Sequence, residues 1–143
     1  MKGNGAIYLL DLNYTLVDNS PLRGTPPLRP FIRQIEQETY RQWLVELLRP
    51  HRVILFTARP EMYREPTLDR IAKLTGWEPM DAFFGEIRAR PHVVKEHLLK
   101  SRIFPKYGKE GFFAFESNPL TQGILCRYGI PSVRVTDNHL DSP

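Results

Sequence analysis

Apolar runs and amphipathic stretches alternate along this chain. Four short segments, AIYLLDL, RVILFTA, GFFAFES and PSVRVTD, are almost continuously apolar and stop at turn or charged residues. Parallel strands covered on both faces have this pattern, because neither face can be polar. Between them, apolar positions recur at helical spacing. In RPFIRQIEQETYRQWLVELLRP, the residues Ile32, Ile35, Tyr40, Trp43, Leu44 and Leu47 form one stripe, which predicts a single helix ending before Pro50. EPTLDRIAKLTGW predicts another, with Pro66 in its first turn and Gly76 at its C-terminal stop. RPHVVKEHLLKSRI and NPLTQGILCRYGI predict two more, with Pro91 and Pro119 near their starts. The weaker apolar segment DAFFGE reads as an additional edge strand.

Strands alternating with helices predict an α/β, three-layer, Rossmann-like fold: a mostly parallel sheet, right-handed crossovers, and helices on both faces. A length of 143 residues fits a single domain over residues 1–143. In such sheets ligands bind beyond the carboxyl ends of the strands. Here those ends are Asp11 to Thr15, Thr57 to Arg59, Glu116 to Asn118 and Thr136 to Asn138. Each also suits a turn or a helix cap. Four strands ending in polar residues together point to a site.

Composition narrows the setting. Hydrophobic residues make up 41% and charged residues 25%, as in a soluble globular protein. No apolar stretch approaches the roughly 18 residues of a membrane span, and the first apolar run is cut by Asp11, unlike a signal peptide. The single cysteine, Cys126, excludes an internal disulfide and is expected in the core, on its apolar helix. The expected location is the cytoplasm, away from membranes. The net charge of +4 leaves two readings open: affinity for anionic partners, or a surface that carries more Arg than Glu.

The ordered polar positions resemble the haloacid dehalogenase-like superfamily of phosphotransferases over nearly the whole chain. Its first motif, Asp-x-Asp-x-Thr after an apolar strand, is matched by Asp11, Asn13 and Thr15. Its strand-ending hydroxyl is matched by Thr57, and its helical lysine by Lys95 in RPHVVKEHLLK, with Lys100 as a rival. Its acidic pair is matched only in part, by Glu116 in FAFESNP. The spacing from TARPEMYREPTLDRIAKLTGW through VVKEHLL to FAFESNPLTQGILCRYGIPSVRV is most similar to the phosphatase domain of phage-type polynucleotide kinase/phosphatases. A phosphate-binding G-x-x-x-x-G-K-[ST] loop is absent from the sequence, so any kinase activity would belong to a separate and unidentified partner.

The resemblance implies a mechanism. Asp11 attacks phosphorus and water then hydrolyses the aspartyl-phosphate. Mg²⁺ is held by the Asp11 carboxylate, the Asn13 carbonyl and Glu116. Thr57 and Lys95 bind phosphoryl oxygens, and Arg59 and Ser117 are candidate substrate contacts. Thr15 is expected to order the loop instead of reacting. The implied substrate is a phosphorylated small molecule, nucleotide or nucleic-acid end, approached through a minimal cap or none, with VDNSPLRGTPPLRP long enough only for a short flap.

Two departures from the motif qualify this. Asn13 stands where the general acid/base carboxylate belongs. An amide donates hydrogen bonds but exchanges no proton near neutrality, and losing such a group costs about 10²–10⁴ in rate. Glu116 is followed by Ser117 and Asn118 where a second Asp is usual, which removes one anionic ligand unless Asp137 supplies it. The chain therefore reads as a slowed or specialised phosphohydrolase, with a phosphate-binding pseudo-phosphatase as the alternative.

Overall fold

The computed structural model describes residues 5–20, 26, 28–108 and 110–136. Five strands form one sheet in which every pairing is parallel: β1 (Ile7–Leu10), β2 (Val53–Pro60), β3 (Asp81–Gly85), β4 (Phe112–Glu116) and β5 (Ser132–Arg134), in the spatial order β3-β2-β1-β4-β5. The segment DAFFGE is indeed an edge strand, and the sheet is wholly rather than mostly parallel. The chain moves outward from β1 through β2 to β3, then returns to β4 on the other side of β1. That reversal opens a crevice at the carboxyl ends of β1 and β4.

Alternation along the central strands feeds two cores. Leu10, Val53, Leu55 and Phe84 face α2 (Gln42–Leu48) and α3 (Arg64–Thr75), and pack with Leu44, Val45, Leu48 and Ile71. Ile7, Leu9, Ile54, Phe56 and Ala114 face the other layer, α4 (Pro91–Leu98) and α6 (Pro119–Arg127), with Val94, Leu98, Ile124 and Leu125. Burying each such large side chain is worth about 1.5–3 kcal/mol. Continuous apolar strands therefore give three layers. Gly76 ends α3 at φ 68°, a left-handed conformation that glycine adopts without penalty. The short α5 (Phe104–Tyr107) continues the layer that begins with α4.

Two expectations about helices need correction. The single helix predicted from Pro30 to Pro50 is two: α1 (Phe31–Gln37) and α2, separated by extended residues 38–41. Residues in this break pair with the loop after β1. Val17 and Tyr40 form an antiparallel bridge, Asp18 N–H donates to Thr39 O, and Arg41 N–H donates to Leu16 O. These bonds stabilise extended backbone where intrinsic propensity favoured helix. The break also rotates the buried face of α2, so Val45 and Leu48 are inside while Trp43 is 56% and Leu47 51% exposed. Cys126, expected in the core, lies on the exposed face of α6. Residues 21–25 and 27 of the proposed flap, and Asp137, fall outside the described residues.

Candidate active site

The chain leaves β1 through a wide turn. Leu16 N–H donates to Asp11 O and Val17 N–H to Leu12 O, each spanning five residues. Asn13 is extended inside this turn, and Tyr14 takes φ 65°, ψ −1°. The left-handed region costs a non-glycine residue about 1–2 kcal/mol. It is held here by Tyr14 N–H donating to Ser20 Oγ and by Arg41, whose Nε and Nη2 donate to the carbonyls of Thr15 and Tyr14. The turn brings Asp11, the Asn13 backbone and Thr15 to one end of the strand.

Asp11 is buried and its carboxylate is bonded on both sides. Oδ2 accepts from Thr15 Oγ1 at 2.7 Å and Ser117 Oγ at 3.2 Å; Oδ1 accepts from Lys95 Nζ at 2.5 Å. Lys95, only 3% exposed, also donates to Glu116 Oε1 at 2.8 Å. The other oxygen of Glu116 accepts from the backbone N–H groups of Ser117 and Asn118. An ammonium thus sits between two carboxylates supplied by strands on either side of the crevice. Burial on its own lowers the Lys95 pKa, but Asp11 and Glu116 outweigh it and hold the group above the ordinary lysine value. For Glu116, burial dominates: it pushes the carboxyl up to about 7, against the opposing pull of Lys95 and with added repulsion from Asp11. Lys100, the rival lysine, is exposed and bonds neither carboxylate.

Thr57, at the bend of β2, accepts from Arg59 N–H at 3.0 Å, and its own hydroxyl proton has no acceptor among the described residues. It can donate to a ligand oxygen. Asp11, Asn13, Thr57, Arg59, Lys95, Glu116 and Ser117 line one cavity of about 390 Å³. These seven residues, all singled out in the sequence, therefore reach a common space.

Arg59 sits differently from an open phosphate contact. Its guanidinium is buried, ion-paired with Glu38, bonded to Thr67 Oγ1 at 2.9 Å and donating from Nη2 to Asn13 Oδ1 at 2.9 Å. Tyr40 Oη also donates to Glu38, and burial beside that carboxylate raises the phenol further above its ordinary value. Glu38 was absent from the sequence-based site, since it sits inside a stripe read as continuous helix. Its only signal is a carboxylate between apolar positions. Because guanidinium nitrogens only donate, the Asn13 oxygen must face Arg59, which turns the NH₂ group the other way.

The oxygen donors fit a hard divalent cation. Ser117 Oγ lies 3.2 Å from Asp11 Oδ2 and 3.3 Å from Asn13 O, so a carboxylate, a carbonyl and a hydroxyl already converge beside Glu116. Mg²⁺ is commonly bound through one or two carboxylates plus water. Among the described residues no trio of His, Cys, Asp or Glu side chains gathers as a metal cluster.

No protein-family model matches the sequence, and no curated protein matches it significantly. Solved structures do match in fold. A chain of the Pnkp1/Rnl/Hen1 complex superposes with a TM-score of 0.71 at 20% identity, covering 92% of this chain and 45% of that one. A chain of the Pnkp1/Rnl/Hen1 RNA repair complex superposes with a TM-score of 0.70 at 20% identity, covering 92% and 42%. This chain spans less than half the length of either. No helix among the described residues is long and apolar enough to cross a membrane.

Proposed function

We propose that this chain is a haloacid dehalogenase-like, Mg²⁺-dependent phosphohydrolase acting on a phosphorylated nucleic-acid end or nucleotide, slowed by Asn13. One observation carries the reading: a buried lysine bridges the strand-end carboxylates Asp11 and Glu116 at the base of a cavity that Thr57 also lines. That one structural neighbour belongs to an RNA repair complex makes a nucleic-acid end the first substrate class to test.

Asp11 attacks phosphorus through a carboxylate oxygen, the bond from phosphorus to the leaving oxygen breaks, and an aspartyl-phosphate forms. Water then attacks that phosphorus, which releases inorganic phosphate and restores Asp11. Thr57 and Lys95 donate to the phosphoryl oxygens as charge develops on them. Asp11, Glu116, Asn13 O and Ser117 Oγ would hold Mg²⁺, whose charge would offset the repulsion between nucleophile and phosphate. Asn13 presents N–H toward the cavity because Arg59 claims its oxygen, so it binds a leaving oxygen without protonating it. The leaving oxygen takes its proton from water. Good leaving groups, such as aryl phosphates and anhydrides, suffer least.

The fixed Asn13 amide also favours the second reading, a site that grips phosphate without turnover. Hydrolysis of an aryl phosphate and of a 3′-phosphorylated oligonucleotide, measured with Mg²⁺, separates them. Native turnover abolished by Asp11→Asn, and raised about 10²–10⁴-fold by Asn13→Asp for the oligonucleotide, is expected of the hydrolase. Activity only in Asn13→Asp supports the binding protein. Inactivity of all variants, together with no thermal shift from Mg²⁺ and a phosphate mimic, rejects both.

A further inference from the structure

The cavity has a charged base and an aromatic mouth. Tyr14 lines it and is 48% exposed, although its backbone holds φ 65°, where glycine is the unstrained choice. A large ring kept half in solvent at a strained position beside a site is an outlier that points to function. Phe31, the first residue of α1, lines the same cavity. Its ring centroid lies 4.8 Å from that of Tyr63 and 5.1 Å from the Arg59 guanidinium carbon, so it is braced from two sides.

The loop from β3 to α4 contributes charge nearby. Arg90 precedes Pro91, which lines the cavity, and both Arg88 and Arg90 are exposed with no partner among the described residues. Glu86, the acidic side chain in this loop, is tied to Arg102 and His97. Two arginines are thus left unneutralised in the loop leading to Pro91, at a cavity lined by Tyr14 and Phe31 above Asp11, Lys95 and Glu116.

Resting on the phosphate-site reading above, we propose that Tyr14 and Phe31 stack the terminal nucleobase of a single-stranded polynucleotide whose end phosphate enters the charged base, with Arg88 and Arg90 meeting the preceding phosphates. Every base has a π-face, so ring stacking tolerates sequence, and exposed arginines follow the backbone. A base held in a duplex is already stacked on its neighbours and has to leave them to reach these rings.

Equilibrium binding of fluorescent single-stranded oligonucleotides ending in a 3′-phosphate tests this on the whole chain in chelator, where the probe is not turned over. One probe carries a normal terminal base and a matched probe is abasic there, with inorganic phosphate as competitor. Native protein is expected to prefer the base-bearing probe by about tenfold or more. Tyr14→Phe keeps that ratio. Tyr14→Gly, which suits the left-handed backbone and so preserves the turn, brings it toward one. Equal affinity for the two probes, with inorganic phosphate still competing, overturns the stacking proposal and leaves the phosphate site standing. A ratio that persists in both Tyr14→Gly and Phe31→Leu overturns the assignment to these rings. Binding of neither probe, with no effect of inorganic phosphate, removes both this inference and the reading on which it rests.

Discussion

Asn13 and Glu116 are the residues at which this site departs from the motif it resembles, and each departure has a physical consequence. Arg59 gives Asn13 one orientation, and the buried Glu38 keeps Arg59 in place. In the metal-free protein, the raised Glu116 pKa means that the folded state binds a proton up to about pH 7, whereas the unfolded chain releases it near 4.5. Between those values the native state holds more protons than the unfolded state, so stability falls as pH rises through that window and levels off above it. Denaturant midpoints measured in chelator from pH 5 to 8 should show this decline, and Glu116→Gln should flatten it. A native midpoint that rises over the same range contradicts the assignment. For the proposed Mg²⁺ site the opposite course is expected, affinity strengthening as pH passes 7, because a metal would require the ionised carboxylate.

At the scale of elements, the break between α1 and α2 and the close approach of β2 to β3 shape the site. Residues 38–41 leave helical geometry, pair with the loop after β1 and deliver Glu38 to Arg59. On the other side, Gly85 ends β3 where the pairing with β2 shifts register between Phe56 and Pro60. A Cβ at Gly85 would lie 2.6 Å from Ala58 O and 3.2 Å from Val94 Cγ1. Since the nearer atom is backbone, neither strand can yield cheaply, and the displaced segment is the one that carries Thr57 and Arg59. Gly85→Ala is therefore expected to cost about 1–3 kcal/mol, read from denaturant unfolding, and to reduce phosphate binding as well. A variant as stable as the native chain would show that the bulge relaxes freely.

Charge acts over the whole molecule. The net charge of +4 is distributed rather than blocked, yet Arg88 and Arg90 lie in the loop that runs into Pro91, which lines the cavity. Binding of a single-stranded polyanion should weaken steeply with salt through counterion release. Arg88→Ala should lower the slope of log K against log salt by about 0.7, with little dependence on sequence. An unchanged slope would place the backbone path elsewhere. The exposed Trp43 and Leu47 belong to a different face, where shallow apolar clefts run past Tyr8, Phe113 and Phe115 to Val133. That exposure follows from the rotation of α2, not from the candidate site.

The parallel sheet, its edge strand and most helix ends were legible along the sequence, because continuous apolar runs, Pro66, Pro119 and Gly76 act locally. The same holds for Asp11, Thr57 and Glu116: a polar residue after an apolar strand is carried to the sheet's carboxyl edge by any parallel topology. Local patterning could not reveal that Lys95 would bridge Asp11 and Glu116, or that Arg59 would turn inward to Glu38 and Asn13. Those contacts join residues far apart in the chain, and the burial that makes them strong exists only once the layers have closed. The split of the predicted helix has the same origin: Glu38 satisfied a helical period, but pairing a buried guanidinium outweighed it. Sequence thus determined which chemical groups reach the crevice, whereas tertiary structure decided which of them face one another and which way Asn13 points.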